Sequence, residues 1–542
     1  MAPGDPRFGS VGPQISSTTY CVVLRTLLAG CWLAFSFSAT PAVAQGKLQL
    51  TLVDDADGTP VVGRMEVRKG RSSKPIPLKG AVKSGRYWLV PGPLELSLAP
   101  GEYSFHIEHG PAYRLLDGEF VIERSSGDAR ELRLVRIADM VAEGWHAGDL
   151  CSAVRTDELA EWLRSEQLAV AVQVAEEPSA KSVNQSPVSR SARDANPSSP
   201  REAGKGPAAI QPGQQAVGQN RGLVLIDKSS SDSAAADKLP AMGLLGRAAT
   251  DPERFHVALC DPFAWNLPLW LASGQIDSFA LLAEHQNQSR GAAKIAGRPP
   301  DRPGFGGPIG PGRWTEFVYW KMLDAGIRVP PVACSGSGFV DNPVGYNRVW
   351  VNVKEPFTFE QWWKGLEAGR TVVSNGPLLR PRLSGEACGS SFRWDPVTDA
   401  AEGLELGLEL KLSIREPMEY IEVIHNGRPL YSVRPKELQA AGGKLPLVRV
   451  MEPGWVIVRV VTNHPDHLRM ACSAPWYIAP AGQAPVRLEA VEFFQAWLRE
   501  ARDRYRADKK LSDSDPIADE QWEQAEAFWR ERAALATQHT RD

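Results

Sequence analysis

The segment 325–351, AGIRVPPVACSGSGFVDNPVGYNRVWV, limits what this chain can fold into more than any other. It reads as a helix end, an apolar strand into Ala333, a small-residue turn (Cys-Ser-Gly-Ser-Gly), an Asn-Pro loop and a second apolar strand over 348–353. A strand that breaks into glycines and short polar residues brings backbone amides and small side chains to its C-terminal end. In α/β barrels that end carries the active site. A tight structural turn has the same residue pattern, and the rest of the chain has to decide between them.

The segments around it alternate strand with helix. In 156–167 (TDELAEWLRSEQ), Leu159, Trp162, Leu163 and Glu166 fall on one helical face with Thr156 as the N-cap. The run 168–174 is then continuously apolar, as in a strand buried on both faces of a parallel sheet. Further apolar strands are predicted at 255–260 and 276–282, and helices at 315–325 and 359–368, the latter stopped by Gly369. A strand at 370–373 ends in Ser374-Asn375-Gly376-Pro377. This order predicts an α/β domain over 140–377.

On both sides the period changes to two. Residues 47–138 form short alternating runs separated by turn signals, a small N-terminal β-sandwich. Residues 378–480 repeat the pattern (LELGLELKLSI, and YIEVIHNGRPLYSV with an Asn426-Gly427 hairpin turn), a C-terminal β-sandwich. Helical stripes at 491–506 and 520–536 then predict a helical hairpin over 488–538, clamped onto the body. One stretch fits none of these patterns. Residues 176–220 are Ser-, Pro-, Ala- and Gln-rich and carry too little apolar surface to offset the entropy of ordering them. Together with the polar run 228–238, they predict a disordered insertion over about 176–240, interrupted by a short apolar strand at 223–226.

The N-terminus reads as a signal peptide over 1–44: Arg7 and Arg25, an apolar run over 27–39, and Ala42-Val43-Ala44 as the cleavage pattern. Leu28-Ala29-Gly30-Cys31 resembles a bacterial lipobox, so Cys31 is the residue a lipid anchor would use. Against that, Arg25 interrupts the apolar run and the run continues past Cys31. The expectation is export to the periplasm or outside the cell, with no membrane-spanning helix once the leader is removed. Formal charge is -3, with 61 basic and 64 acidic residues, which lacks the basic footprint of a nucleic-acid partner. Beyond the leader, Cys151, Cys260, Cys334, Cys388 and Cys472 remain. They are odd in number and widely spaced, which excludes a disulfide framework while leaving room for one bridge.

Five blocks carry a family resemblance: GWHAGDL at 144–150, WLRSEQLAVA at 162–171, FAWNLPLWLASGQIDSFALLAEH at 263–285, the segment 325–351, and WWKGLEAGRTVVSNGPLLRP at 362–381. Together they resemble the carbaryl-hydrolase-like (CehA/McbA) branch of the PHP-type metallohydrolases. The resemblance implies a distorted PHP-like (β/α)7 barrel, here flanked by the two sandwiches. In active members it implies metal-assisted hydrolysis of an ester, carbamate or phosphoester-like bond.

The ligands implied by that resemblance are mostly replaced. Active relatives follow Gly-Asp-Leu with His-x-His, where this chain has Cys151-Ser152-Ala153. A histidine expected near the end of the next strand corresponds to Ala169, and the ligand position of the Gly-Ser-Asp-Ser-Gly-like turn corresponds to Gly336. His285 is kept, with Asp149 and Glu284 as poor substitutes. A catalytic zinc needs three protein ligands and an open position.

Cys151, Cys260 and Cys334 each follow a predicted strand, so with His285 they would make a Cys3His set suited to zinc. The alternative is small buried residues or one disulfide. Tyr346, Asn347, Arg348 and Asn375 are the candidate binding residues, with Arg348 able to grip an anion, and turn or packing roles fit them as well. The expectation is therefore an exported, non-catalytic relative that binds a small molecule or an extracytoplasmic polymer and carries no cofactor. The alternative is an active hydrolase with zinc or another divalent metal in an altered site.

Overall fold

Period-two alternation at the N-terminus builds two facing sheets. Gly46–Asp54 lies between Leu94–Leu98, antiparallel to it, and Gly127–Leu134, parallel to it. The opposing five-stranded sheet runs Val82–Ser84, Tyr87–Val90, Gly63–Lys69, Gly101–Glu108, Leu116–Ile122. Leu48, Leu50 and Leu52 pack with Met65, Val67, Tyr103 and Ile107 in one buried cluster, giving the sandwich-like unit its core. The computed structural model describes residues 46–124, 127–174, 216–220, 222–229, 237–286, 297–353, 356–480 and 485–539. The predicted leader with Cys21 and Cys31, and the part of the predicted insertion up to residue 215, lie outside them.

The helix Thr156–Glu166 covers the five-stranded sheet. Its stripe buries Leu159, Trp162, Leu163 and Glu166, and the chain leaves it through Gln167 in the left-handed region at φ 55°. Arg155, rather than the expected Thr156, is the N-cap, and it makes no side-chain capping bond. Trp162 donates its indole N–H to Ser84 Oγ at 2.9 Å and meets the Tyr87 ring edge-on at 5.4 Å. Truncating a buried indole of this kind costs about 3–5 kcal/mol.

The segment predicted as a barrel forms no (β/α)7 barrel. Over the described residues as a whole strand (36%) outweighs helix (25%), with a half-barrel in place of a closed one, and the strands of this segment divide between two sheets. In one sheet Leu168–Gln173 runs parallel to Trp145–Ser152, but Arg348–Asn352 and Thr371–Ser374 then follow antiparallel. In the other, Leu223–Asp227 is antiparallel to Phe255–Leu259, and only Phe255–Leu259, Ser278–Leu282 and Pro331–Ala333 form a parallel series. An isolated bridge pairs Ser152, at the end of one sheet, with Ser337 in the turn that follows Pro331–Ala333 of the other.

Closure fails because the free edge of Thr371–Ser374 is taken by Met470–Ser473 from the C-terminal region. The sheet continues from there through Gly454–Thr462 and Met418–His425 to Arg428–Val433, ten strands in all. It therefore crosses 377/378, where the sequence predicts a domain boundary. Continuous apolar runs described both-face burial correctly, but they say nothing about strand direction.

Ala216–Asn220 and Leu223–Asp227 form an antiparallel pair, so the predicted insertion ends in ordered strand. Opposite the C-terminal strands lie Leu378–Leu383 with Leu408–Ser413 and Leu404–Leu406 with Val448–Val450, giving a second sandwich-like packing. Helices Leu488–Ala507 and Asp519–His539 pack together, with Phe494 stacked on Trp529 at 4.9 Å. The Trp529 indole donates to the Pro268 carbonyl at 3.0 Å, tying the pair to the body. No helix among the described residues is long and apolar enough to cross a membrane.

Candidate functional site: an arginine-lined cavity beside a closed strand-end cluster

Asp149 organises the strand ends. It is fully buried, and burial raises its pKa against three backbone amides that pull it down. Oδ1 accepts from Ser335 N at 3.0 Å and Cys151 N at 3.2 Å, and Oδ2 accepts from Gly345 N at 2.8 Å. Asn347 works with it: Nδ2 donates to the carbonyls of Ala283, Gln286 and Cys334 at 2.9, 3.1 and 3.3 Å. Ser335 Oγ and Asn342 Nδ2 close the same turn. Gly336, at φ 64°, leaves no room for a side chain, because an added Cβ would lie 2.7 Å from Glu284 Cβ. The turn that identifies the strand end is thus held by groups turned inward on the backbone.

The three candidate thiols do meet here. Cys334 Sγ lies 3.0 Å from Cys260 Sγ, and the Cys151 thiol shares a hydrogen bond with Cys260. His285 makes its contacts elsewhere: Nε2 lies 2.9 Å from Thr315 Oγ1, and the ring packs on Phe263 at 4.8 Å. Burial pushes its pKa down to about 3, leaving a neutral imidazole at neutral pH.

The donor set does not fit a zinc ion. Two thiolates on one tetrahedral zinc with bonds of about 2.3 Å stand about 3.8 Å apart, well beyond the sulfur separation here. Among the described residues no group of three or more His, Cys, Asp or Glu side chains is placed to hold a metal ion.

The neighbouring cavity, about 130 Å³, is different in kind. Four arginines line it (Arg64, Arg348, Arg415, Arg469) with three glutamates (Glu108, Glu166, Glu416). Three of the arginines are committed to protein partners. Glu166 Oε1 accepts from Arg64 Nε at 2.7 Å and Oε2 from Arg348 Nη2 at 2.9 Å, while Arg348 Nη1 donates to the Glu166 carbonyl at 2.8 Å. Arg469 donates to Tyr346 Oη at 3.1 Å and Glu416 Oε1 at 2.6 Å. Burial opposes ionisation of Glu108, but Arg64, His106 and Arg415 outweigh it and hold its carboxyl well below the carboxylate range.

Arg415 is the loosely held arginine. Its Nη1 reaches the carbonyls of Gly110 and Tyr113 only at 3.4 Å, and its Nη2 stands 4.0 Å from Glu108. Its Nε has no hydrogen-bond partner among the described residues.

Of the sequence-predicted binding residues, Tyr346, Arg348 and Asn375 line this cavity and Asn347 belongs to the strand-end turn. Asn375 is itself tied down, exchanging bonds with Met470 and the Leu468 carbonyl. Arg348 grips Glu166 rather than standing free for an anion. Sequence reasoning missed Arg64, Glu108, Arg415, Glu416 and Arg469, which come from both sandwich-like regions. The one available signal was Glu166, a carboxylate on an otherwise apolar helical stripe. A larger cavity of about 420 Å³ opens between the strands Leu116–Ile122 and Gly127–Leu134, but its lining mixes apolar side chains with both signs of charge and no cation dominates it.

No family model matches the chain, and no curated protein does. Among solved structures, the Bacillus anthracis TIE protein is similar over 20% of this chain and 20% of its own, at 17% identity and a TM-score of 0.15. The chain thus spans about a fifth of that neighbour's length, and a likeness at this level carries no argument about fold or function.

Proposed function

We propose that the chain is an exported, non-catalytic binding protein whose central cavity takes a small oxyanion, a carboxylate or a phosphate-sized group, on Arg415. The observation that carries this reading is the uneven pairing of the arginines. Arg64, Arg348 and Arg469 have carboxylates within hydrogen-bond reach, whereas Arg415 has only long contacts inside the same cavity. Guanidinium groups offer a planar fork suited to such anions. A cavity of about 130 Å³ admits a small group and excludes a polymer chain. The closed state of Asp149 and the poor fit of the thiols to zinc support a binding role over metal-assisted hydrolysis.

Titration calorimetry of the full chain with acetate and with inorganic phosphate at low ionic strength tests it. Saturable binding is expected, weakened tenfold or more in Arg415→Gln, the scale of one charge-assisted hydrogen bond. Equal affinities in wild type and R415Q would defeat the assignment. Ester or phosphodiester turnover abolished by His285→Ala would defeat the non-catalytic part.

A further inference from the structure

We propose that Cys260 and Cys334 form a reversible disulfide, with Cys151 as the thiol that can replace Cys334 in it. This rests on the strand-end thiols alone and is independent of the anion reading. The sulfurs of Cys260 and Cys334 lie 3.0 Å apart, so a bond of about 2.05 Å needs roughly 1 Å of approach. Cys260 is the central sulfur of the three, since the Cys151 thiol also hydrogen-bonds to it. Exposure is graded across the group: Cys151 and Cys260 are partly exposed, and Cys334 is buried. An oxidant therefore reaches Cys260 before Cys334, which resolves from behind.

The reaction is thiol–disulfide exchange with a small-molecule disulfide, RSSR. The Cys260 thiolate attacks one sulfur of RSSR and expels RS⁻, leaving a mixed disulfide. The Cys334 thiolate then attacks Cys260 Sγ and expels the second RS⁻. Two protein thiols are oxidised, RSSR is reduced to two RSH, and the two thiol protons end on those products.

The bond would tie the C-terminal ends of Phe255–Leu259 and Pro331–Ala333 across Ser278–Leu282, which lies between them in the sheet. It would also fix the turn whose Gly336 N donates to the Cys151 carbonyl at 3.1 Å and whose Ser337 carbonyl accepts from Ala153 N at 2.7 Å. The surroundings set the pace of the reaction. Burial pushes the Cys334 thiol up to about 11, and Asp149 and Glu284 add to the penalty. Oxidation is therefore slow at neutral pH and quickens as pH rises, because the thiolate is the attacking species.

The test incubates the folded full chain at about pH 8.5 with an excess of cystine or oxidised glutathione. Remaining thiols are then alkylated and the bridged peptides mapped by mass spectrometry. The expected product is a Cys260–Cys334 cross-linked peptide, two hydrogens lighter than its parts and released by dithiothreitol. In Cys334→Ala, the bridge is expected to move to Cys151–Cys260. A Cys260 that stays fully alkylatable, or that stops at the mixed disulfide, overturns the proposal on the wild-type chain alone. A Cys334→Ala chain that stays unbridged overturns the role of Cys151.

Discussion

The strand-end cluster around Asp149 and the arginine cavity share the loop 342–348, yet they treat charge in opposite ways. At the strand end one buried carboxylate is met by three backbone amides, and both its oxygens are used. In the cavity four guanidinium groups meet three carboxylates, and Arg415 is left with long contacts only. Burying polar groups is tolerated where they are fully paired and costs several kcal/mol where they are not. The first cluster therefore holds a turn in shape, whereas the second keeps a cation in reserve. That difference separates structure from function more reliably than residue type does, since both clusters are buried and polar.

The sharpest way to break this contrast is to unpair the cavity's committed arginines. Glu166→Ala removes the carboxylate shared by Arg64 and Arg348, whose side chains are only 10% and 4% exposed. Arg348 would lose its carboxylate and Arg64 would keep only Glu108, an expected loss of about 3–5 kcal/mol in the free energy of unfolding by urea. A loss below about 1 kcal/mol would show that this network does not hold the N-terminal sandwich to the helix Thr156–Glu166.

A smaller effect is expected at the strand end. Asp149→Asn keeps the volume but turns one acceptor into an N–H donor facing an amide N–H. About 1–3 kcal/mol should be lost, the usual cost of a buried donor left unpaired. Native-state hydrogen exchange at the Ser335, Cys151 and Gly345 amides is the matching readout, and protection should fall at those three together. Unchanged protection at Gly345 would detach the loop from Asp149.

What the sequence made legible follows from which interactions are local. The sandwich alternation, the helix Thr156–Glu166 and the strand–turn–strand of 325–351 are patterns within short windows, and each has its counterpart in the structure. The barrel expectation fails because strand direction and edge pairing are long-range: nothing near Val372 and Val373 says that Ala471–Ser473 will lie beside them. The convergence of Cys151, Cys260 and Cys334 was legible because Cys260 and Cys334 sit one step past a strand and Cys151 is next to last in the strand Trp145–Ser152. The arginine cavity was half legible. Tyr346, Arg348 and Asn375 lie at or beside strand ends, whereas Arg64, Arg415 and Arg469 reach the cavity only through the packing of both sandwich-like regions.

Loose contacts predict a weak structural role, so Arg415→Gln should change the unfolding free energy by less than about 1 kcal/mol, even where anion affinity falls tenfold. That split between stability and binding is the reverse of the one expected for Glu166→Ala. A loss of 2 kcal/mol or more in R415Q would place Arg415 with the structural arginines and remove the basis for a reserved cation.

The smallest effect concerns pH at the rim of the cavity, where Glu108 binds both Arg64 and His106. The Glu108 carboxyl is held well below its ordinary value of 4.5, so its contribution is present above that pH and is lost as pH falls. His106 is raised from 6.5 to about 8, first by its hydrogen bond to Glu108 at 3.1 Å, against burial, and then by Asp117. Its contribution is complete below 6.5 and is lost as pH rises through about 8. Between those limits both are present, so stability from this pair should plateau from about pH 4.5 to 6.5 and decline on each side. The imidazole is 37% exposed, so the alkaline decline should be shallow and should shrink further with added salt. Urea midpoints of wild type and His106→Gln measured across pH 4 to 9 separate the two arms. The alkaline arm should vanish in H106Q while the acid arm survives, because Arg64 still holds Glu108 at 2.7 Å. An alkaline arm that persists in H106Q belongs to another group and leaves Arg64 as the main holder of Glu108.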